Sequence, residues 1–596
     1  MDLAPFDAYV VSACGKVLDA RLRAALEQET DRGKRLFAEA LNSWGGIYSG
    51  EPTDTTRSRL IVTPDAGNGA IPGLRTGDLL DDGSNRAMRP WYVVPGMKTL
   101  LVYRAGISAH RRLNDYAPES ADAPALWTVG DNVMMCAFEL HHFNRAGFSP
   151  RGVWQSLIGF IAEWITGSKP TSFPSPTVRF LTDADLSDER EFEKRRKETV
   201  DRGIARLKGF LIDEGRGGVR EGLRHNVDPD GVQAKADTVR TDCCGEAAGA
   251  FLFHSVSEKC AEHRRIAENL FDFVFGPMQI RGGAFDGMLR WTDTAWEVCY
   301  QDDAARAMLP ALYQCLFLGD KSRFPAICRA LDFLVKTTAK DGCRVSRTDK
   351  PMLTDDALAQ LAEAGHGTPS AHYNAYYHAA LLLAYQAGGR REYYDVAKRG
   401  LETIMTLYPD TRREQSETEE LCRLILPLAA LYHTSKEEKH LQMLRRVTDD
   451  LVSHRHPFGG YCEWDTGYRA SCARGSTGEC SLLTENGDPV ADLLYSVNWL
   501  PVGFAYAYHV TGDRRYDDLW RGIAAFFIRT QAISENPVIH GLWRRAFDME
   551  LGEVYGCPND VGWAANCSET GWTNAEILMG LMLPEILGDR EEAADG

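Results

Sequence analysis

Between about residue 188 and residue 588 the sequence breaks into twelve apolar-periodic stretches long enough for helices. They lie at 188–213, 242–258, 260–275, 302–318, 321–339, 372–387, 390–407, 416–433, 436–454, 489–510, 514–533 and 569–586. Such a run leaves few options, because each amphipathic helix must bury its apolar stripe against another helix. The punctuation is uneven. Leu318-Gly319-Asp320, Gly388-Gly389 and Thr511-Gly512-Asp513 separate neighbouring helices by a few residues, and glycine past a helix end permits a very short turn. Much longer connections at 276–301, 340–371, 456–488 and 534–568 alternate with these turns. Hairpins with short turns at one end and long loops at the other predict an (α/α)6 toroid. Its inner helices should be apolar and rich in small residues, as Gly245–Phe253, Ala375–Tyr385 and Ala491–Tyr508 are. Its outer helices should carry a charged face, as 321–339, 390–407 and 514–533 do. An α-solenoid is the competing architecture, but solenoids keep a steadier period and rarely interpose such long loops. Loops gathered at one rim are where function is expected.

Residues 1–170 read differently. Short β-prone runs at Tyr9–Ser12, Arg59–Thr63, Thr99–Tyr103, Leu126–Val129 and Val133–Phe138 interleave with helical patterns at Leu18–Leu41 and Val153–Ile165. That alternation predicts an α/β layer domain. The proline-rich run starting at Gly167 places an extended linker at 171–187, ahead of a toroid over 188–588. The stretch Thr128-Val-Gly-Asp-Asn-Val-Met-Met-Cys-Ala-Phe-Glu139, followed by the helix through Trp154 and Trp164, resembles the closing hairpin and helix of class I glutamine-amidotransferase-like domains. That family carries its nucleophile in a Gly-x-Cys-x-Gly elbow. Ser12-Ala13-Cys14-Gly15-Lys16 lacks this frame and comes too early, so Cys14 reads as an inert thiol and the domain as non-catalytic.

Charge and cysteine usage exclude several classes. The 67 Lys+Arg and 84 Asp+Glu give a formal charge of −17 with no basic block, which argues against a nucleic-acid partner. The 15 cysteines are too dilute for a disulfide scaffold, and their odd number leaves at least one unpaired. Cys243-Cys244 and the loosely spaced Cys462, Cys472 and Cys480 offer no C-x-x-C pair, so no metal is expected. No Gly-x-x-x-x-Gly-Lys loop, dinucleotide fingerprint or His-Glu-x-x-His pair occurs, so no cofactor is expected. Met1–Tyr9 carries Asp2 and Asp7 without a basic flank, and no apolar run approaches 18 residues. The chain therefore reads as cytoplasmic, with free thiols and no membrane partner. A homo-oligomer is compatible with this reading.

Acids and aromatics recur where loops feed predicted inner helices. In Tyr300-Gln-Asp302-Asp303-Ala-Ala-Arg306 two aspartates open a helix, where the dipole and orphan N–H groups favour a carboxylate. A cap accounts for one and leaves the other, with Arg306, for chemistry or substrate contact. Asn559-Asp560-Val-Gly-Trp563 and Glu569-Thr-Gly-Trp572 repeat acid and tryptophan before the last helix. Sugars call for this pairing, since carboxylates grip hydroxyls and flat rings cover the apolar C–H face. Trp543-Arg544-Arg545 adds planar cations able to grip a carboxylate. His372 and Tyr373, with Tyr376 one turn on, offer a base; Glu463 and Trp464 repeat the acid-aromatic theme; Asp242 and Glu246 share one face of the first inner helix. Caps, core aromatics and solvated loops are the plain structural readings of the same residues.

The motif Tyr300-Gln-Asp302 resembles the aromatic-x-Asp that opens an inner helix in six-hairpin glycosidases, which include unsaturated glucuronyl hydrolases, with Tyr where Trp is usual. The resemblance implies an exo-acting glycoside hydrolase; the lack of a signal-peptide pattern favours small, imported oligosaccharides, and Arg306, Arg544 and Arg545 suggest uronic-acid-containing ones. Carboxylate general acid/base chemistry needs one ionised and one protonated group. Asp302 or Asp303, at a helix N-terminus, is expected to stay ionised. Glu569, between Trp563 and Trp572, is expected to have a raised pKa and act as the acid. A lyase using tyrosine and histidine, a sugar epimerase sharing the toroid, and a non-catalytic sugar-binding scaffold are the alternatives.

Overall fold

The computed structural model describes residues 3–12, 17–54, 57–71, 74, 76–77, 79–80, 86–106, 122–140, 151–170, 178–227, 233–465, 486–555 and 566–588. The chain forms two compact units. The first comprises Met1–Pro176, His225–Val232 and Glu553–Ala565, and the second Thr177–Arg224, Gln233–Gly552 and Asn566–Gly596. Cys14, Asp560 and Trp563 lie outside the described residues.

The first unit is built on strands β1 (Ala8–Ser12), β2 (Arg35–Glu39), β3 (Ser43–Trp44), β4 (Tyr48–Asp54), β5 (Arg57–Val62), β6 (Leu79–Leu80), β7 (Arg86–Val93), β8 (Lys98–Gly106), β9 (Ala123–Val129) and β10 (Val133–Cys136). Seven of them form a sheet in the order β1-β2-β10-β9-β8-β5-β6, and β3-β4-β7 form a second. β1, β2 and β10 run parallel, whereas the pairs from β10 through β6 are antiparallel. Helices α1 (Ala20–Asp31) and α3 (Arg151–Thr166) pack on this sheet, with a single turn, α2 (Pro64–Gly67), between them in sequence. Trp127, Met134, Trp154 and Leu157 lie in its core. The expected β9–β10 hairpin forms. The expected helix Leu18–Leu41 does not run that far: α1 stops at Asp31, and Gly33, at φ +90°, turns the chain into β2. Leu36, Phe37 and Ala38 are fully buried there, and such a continuous apolar run suits a parallel strand covered on both faces.

The second unit is helical. It contains α4 (Glu189–Leu207), α5 (Thr241–Ser257), α6 (Ala261–Phe275), α7 (Gln301–Phe317), α8 (Phe324–Lys336), α9 (Asp355–Glu363), α10 (Ala371–Gln386), α11 (Arg391–Leu407), α12 (Glu417–Ser435), α13 (Glu438–Val452), α14 (Leu500–Thr511), α15 (Arg514–Thr530) and α16 (Glu576–Ile586). α5, α7, α10, α12, α14 and α16 each pack on the next, and α16 packs back on α5, closing a ring. α6, α8, α11, α13, α15 and α4 back them from outside, one to each inner helix. Burial follows this division. α5 is buried at every position from Thr241 to Ser255, whereas α13 buries the helical stripe His440, Leu441, Leu444, Val447, Thr448 and Leu451. The short α9 sits inside one of the long connections. No helix among the described residues is long and apolar enough to cross a membrane.

Two expected helices begin later than their apolar patterns. Within 489–510, Val490–Asp492 is a strand paired with Ala546–Asp548, and α14 starts only at Leu500. The Asp492 carboxylate accepts from the backbone N–H of Leu494 (2.8 Å) and Tyr495 (3.0 Å), a local turn that competes with helix. At 569–586 a wide turn over Thr570–Ala575 precedes α16.

Six inner helices can meet only where side chains are small. A Cβ built on Gly245 of α5 would stand 2.4 Å from the Ala307 Cα of α7, an impossible distance without backbone movement. Gly245→Val is therefore expected to cost about 1–3 kcal/mol or more through overpacking. Urea unfolding checks this, and an unchanged midpoint would show that α5 and α7 do not approach so closely.

Candidate active site

Five hairpins carry the chain out along an inner helix and back along an outer one, and α16 follows the last outer helix with α4 behind it, so all six inner helices run the same way. Their first turns meet at one rim. The partial positive charge at each N-terminus favours carboxylates there, and the acids found are Asp242 on α5, Asp302 and Asp303 on α7, Glu419 and Glu420 on α12, and Glu569 just before α16. All are buried.

Three guanidiniums and two indoles hold these acids together. Arg240 donates to Asp242 (Nε–Oδ1 3.1 Å, Nη2–Oδ2 2.7 Å) and reaches Asp303 Oδ1 at 3.1 Å. Arg306 donates from Nε to Glu246 Oε1 at 2.7 Å and lies over the rings of Trp572 (3.9 Å to the centroid) and Trp499 (4.6 Å). Arg423 lies over Trp499 at 4.0 Å and pairs with Glu419 Oε1 at 3.0 Å. Trp572 Nε1 donates to Asp242 Oδ2. Desolvated cation–π contacts are worth about 2 kcal/mol or more each, and here they bind the first turns of α5, α7, α12 and α16 into one block.

Asp302 and His372 face each other within this block. His372 Nδ1 is 2.5 Å from Glu419 Oε1, and its Nε2 is 3.6 Å from Asp302 Oδ2. The ring also lies 6.1 Å from Trp572 and 6.3 Å from Tyr495. Asp302 Oδ1 has no hydrogen-bond partner among the described residues, although Asp302 is only 2% exposed. Glu420 satisfies the start of α10, accepting from Ala371 N (2.7 Å), His372 N (2.8 Å) and Ser370 Oγ (3.0 Å). Tyr373 donates to Glu414, and Tyr376 donates to Glu576 at 2.9 Å.

Too many carboxylates share this space with three arginines for all to ionise at ordinary pH. Burial works against the Asp242 anion, yet Arg240, Arg306 and Trp572 outweigh it and hold its pKa below the usual range. Burial raises Asp302, against the pull of His372 and Arg423, and raises Asp303 well above the usual range with the Asp242 charge adding to it. The helix N-terminus thus does not keep this pair at the low values expected. Burial, then the Asp242 charge, lifts Glu569 to about 7. The rise expected at Glu569 is therefore present, with burial rather than a named tryptophan as its main cause. Burial pushes His372 down to about 3 and Glu419 up to about 8, so both members of that pair favour their neutral forms.

The predicted site residues divide. Asp242, Glu246, Asp302, Asp303, Arg306, His372, Glu569 and Trp572 come together, with Tyr373 at the edge. Glu569 also caps the turn into α16, its Oε2 accepting from Thr573 N at 3.2 Å, and its Oε1 is 2.6 Å from Cys243 Sγ. Trp543 is core: fully buried, with Nε1 donating to Phe527 O at 2.9 Å, it presents no face to a ligand. Arg544 donates to Gln233 Oε1 at 3.0 Å, and Arg545 reaches Asp492 at 3.4 Å. With Arg306 also committed to Glu246, the arginines that suggested an acidic sugar are held by protein partners. Glu463 is buried on Ser416 Oγ at 2.5 Å. Arg240, Glu419, Arg423, Trp499 and Tyr495 were not anticipated. The Glu417-Thr-Glu-Glu420 run offered the missing signal, since it opens an inner helix just as Asp242 and Asp302 do.

No family model and no curated protein matches the chain. Among solved structures it is similar to a sugar epimerase from a ruminal bacterium, at 12% identity and a TM-score of 0.47 over 66% of this chain and 98% of that one. A D-mannose isomerase follows at 16% identity and 0.46, covering 68% of this chain and 99% of that one. An unsaturated glucuronyl hydrolase specific for heparin is similar at 10% identity and 0.41, covering 67% and 99%.

The raised carboxyls make stability depend on pH with a definite sign. A group whose folded pKa exceeds its unfolded value binds more protons in the native state, so its contribution is full below the unfolded pKa and lost as pH rises through the folded one. For Glu569 that window runs from 4.5 to about 7, and its share is on the order of 3 kcal/mol. Urea midpoints should fall between pH 5 and pH 8, and fall less in Glu569→Gln. Equal falls in the two proteins would contradict the assignment.

Proposed function

We propose that the second unit is a carbohydrate-active enzyme that cleaves a glycosidic bond at the rim where the six inner helices begin. Asp302 carries this reading. A buried carboxylate oxygen without a donor is costly, and a sugar hydroxyl or an attacking water would satisfy it. Asp302, with His372 Nε2 3.6 Å from its Oδ2, acts as the base or nucleophile. Glu569, protonated up to about pH 7, donates to the leaving oxygen. The rings of Tyr495, Trp572 and the partly open Tyr300 and Trp291 supply apolar faces for the sugar. A carboxylate on the substrate would meet Arg347, which is exposed at the rim, pairs with Asp349 at 3.3 Å and donates to Tyr300 Oη at 2.9 Å.

The His372–Asp302 contact supports a second reading. A neutral imidazole fixed through Nδ1 by Glu419, with Nε2 turned to a carboxylate, is an acid–base pair suited to moving a proton at a carbon beside a sugar carbonyl. That chemistry epimerises or isomerises and releases nothing.

Incubation of the full chain with an oligosaccharide panel in deuterated water separates the two. Hydrolysis adds the mass of water and shortens the chain; epimerisation leaves the length unchanged and introduces carbon-bound deuterium. Asp302→Asn and Glu569→Gln, both isosteric, should keep the fold by circular dichroism and each lose about 10²–10⁴-fold in cleavage. Near-wild-type cleavage in either would remove that residue from the mechanism. Deuterium uptake lost in His372→Gln, without any cleavage by the wild type, would favour the second reading.

A further inference from the structure

Among the described residues, the most ligand-like cluster away from the rim lies at the other end of the first hairpin, in the turn from α5 to α6. Cys260 stands at the N-cap of α6 and makes no side-chain capping hydrogen bond, with Glu262 and His263 in the turn that follows. One donor atom from each of Cys260, Glu262 and His263 lies within 4.8 Å of the others. Thiolate, imidazole and carboxylate donors bind zinc-type ions at about 2.0–2.3 Å, so small side-chain movements bring all three onto one centre.

A relay behind His263 fixes which nitrogen is offered. Asp201 Oδ1 lies 3.1 Å from His254 Nε2, and His254 Nδ1 lies 2.9 Å from His263 Nδ1. A carboxylate only accepts, so in a neutral His254 imidazole the proton is on Nε2 and Nδ1 is a lone pair. His263 must then donate from Nδ1, which leaves the lone pair on Nε2. Metal-binding histidines are oriented in this way by a partner on the second nitrogen.

We propose that the α5–α6 turn binds one divalent zinc-type ion through Cys260 Sγ, the Glu262 carboxylate and His263 Nε2, with a water completing a tetrahedron. Three protein ligands and an open position distinguish it from a closed structural site. The spacing Cys-x-Glu-His escapes a search for paired cysteines. Lys208 Nζ lies 3.1 Å from Glu262 Oε2 and must swing away when the ion enters, so this ammonium opposes binding.

The full chain, stripped by a chelator and titrated with Co²⁺, tests the site. One equivalent should bind and give a thiolate-to-metal charge-transfer band that Zn²⁺ abolishes. Cys260→Ser should lose the band, and His263→Ala should lose stoichiometric binding. His254→Ala should keep the band but weaken binding about 10–100-fold, and Lys208→Met should tighten it. Thermal melts of the metal-free variants verify that each is folded. Absence of the band in the wild type, its survival in Cys260→Ser, or unaltered affinity in His254→Ala would each overturn the proposal.

Discussion

The Arg306 guanidinium, fully buried on Glu246 and covered by the Trp572 and Trp499 rings, is the contact on which the inner ring depends. It joins α7 to α5 and to the turn before α16, elements remote in sequence. With Arg240 and Arg423 it supplies the positive charge that lets a group of acids be buried at all. Breaking a buried pair of this kind leaves an uncompensated charge, at a cost of about 3–5 kcal/mol. The cations are nevertheless fewer than the acids around them. Asp303, Glu419 and Glu569 are pushed toward their protonated forms while Asp242 is held ionised. Acids of split protonation in one dry space are what proton-transfer chemistry requires, and those pushed toward the protonated form lower stability as pH rises.

The direction of the inner helices explains why the acids gather where they do. Because the inner helices all begin at the same rim, the long connections also enter there, and residues from α5, α7, α10, α12 and α16 converge. The tight turns lie at the opposite end, where the Asp201–His254–His263 relay closes the first hairpin. One architecture therefore sets two chemically distinct places at its two ends, a carboxylate-rich rim and a thiol–imidazole turn.

Much of this was legible in the sequence, for local reasons. Twelve helices could be counted because period, glycine punctuation and loop length are all written locally. Asp242, Asp302, Asp303 and Glu569 stood out because acids at helix starts are a local pattern too. β2 was hidden because Leu36-Phe37-Ala38, buried on both faces, has no alternation to separate it from helix. The start of α14 was hidden because Asp492 turns the chain through side-chain bonds that no periodicity reports. Arg240, Arg423 and Trp499 were hidden because their roles exist only between helices far apart in the chain. Trp543 was misread for the same reason, since tryptophan beside arginine looks alike in a core and in a sugar site.

Under the proposed function the rim carboxyls, tuned by burial, perform the chemistry, and the pH dependence of kcat/KM on the first oligosaccharide turned over probes them. With Glu569 as the proton donor at about 7, the rate should fall tenfold per pH unit above a limb near pH 7. In Glu569→Gln the residual rate should show no such limb. A wild-type profile flat from pH 6 to pH 9, or an identical limb in the variant, would contradict the account.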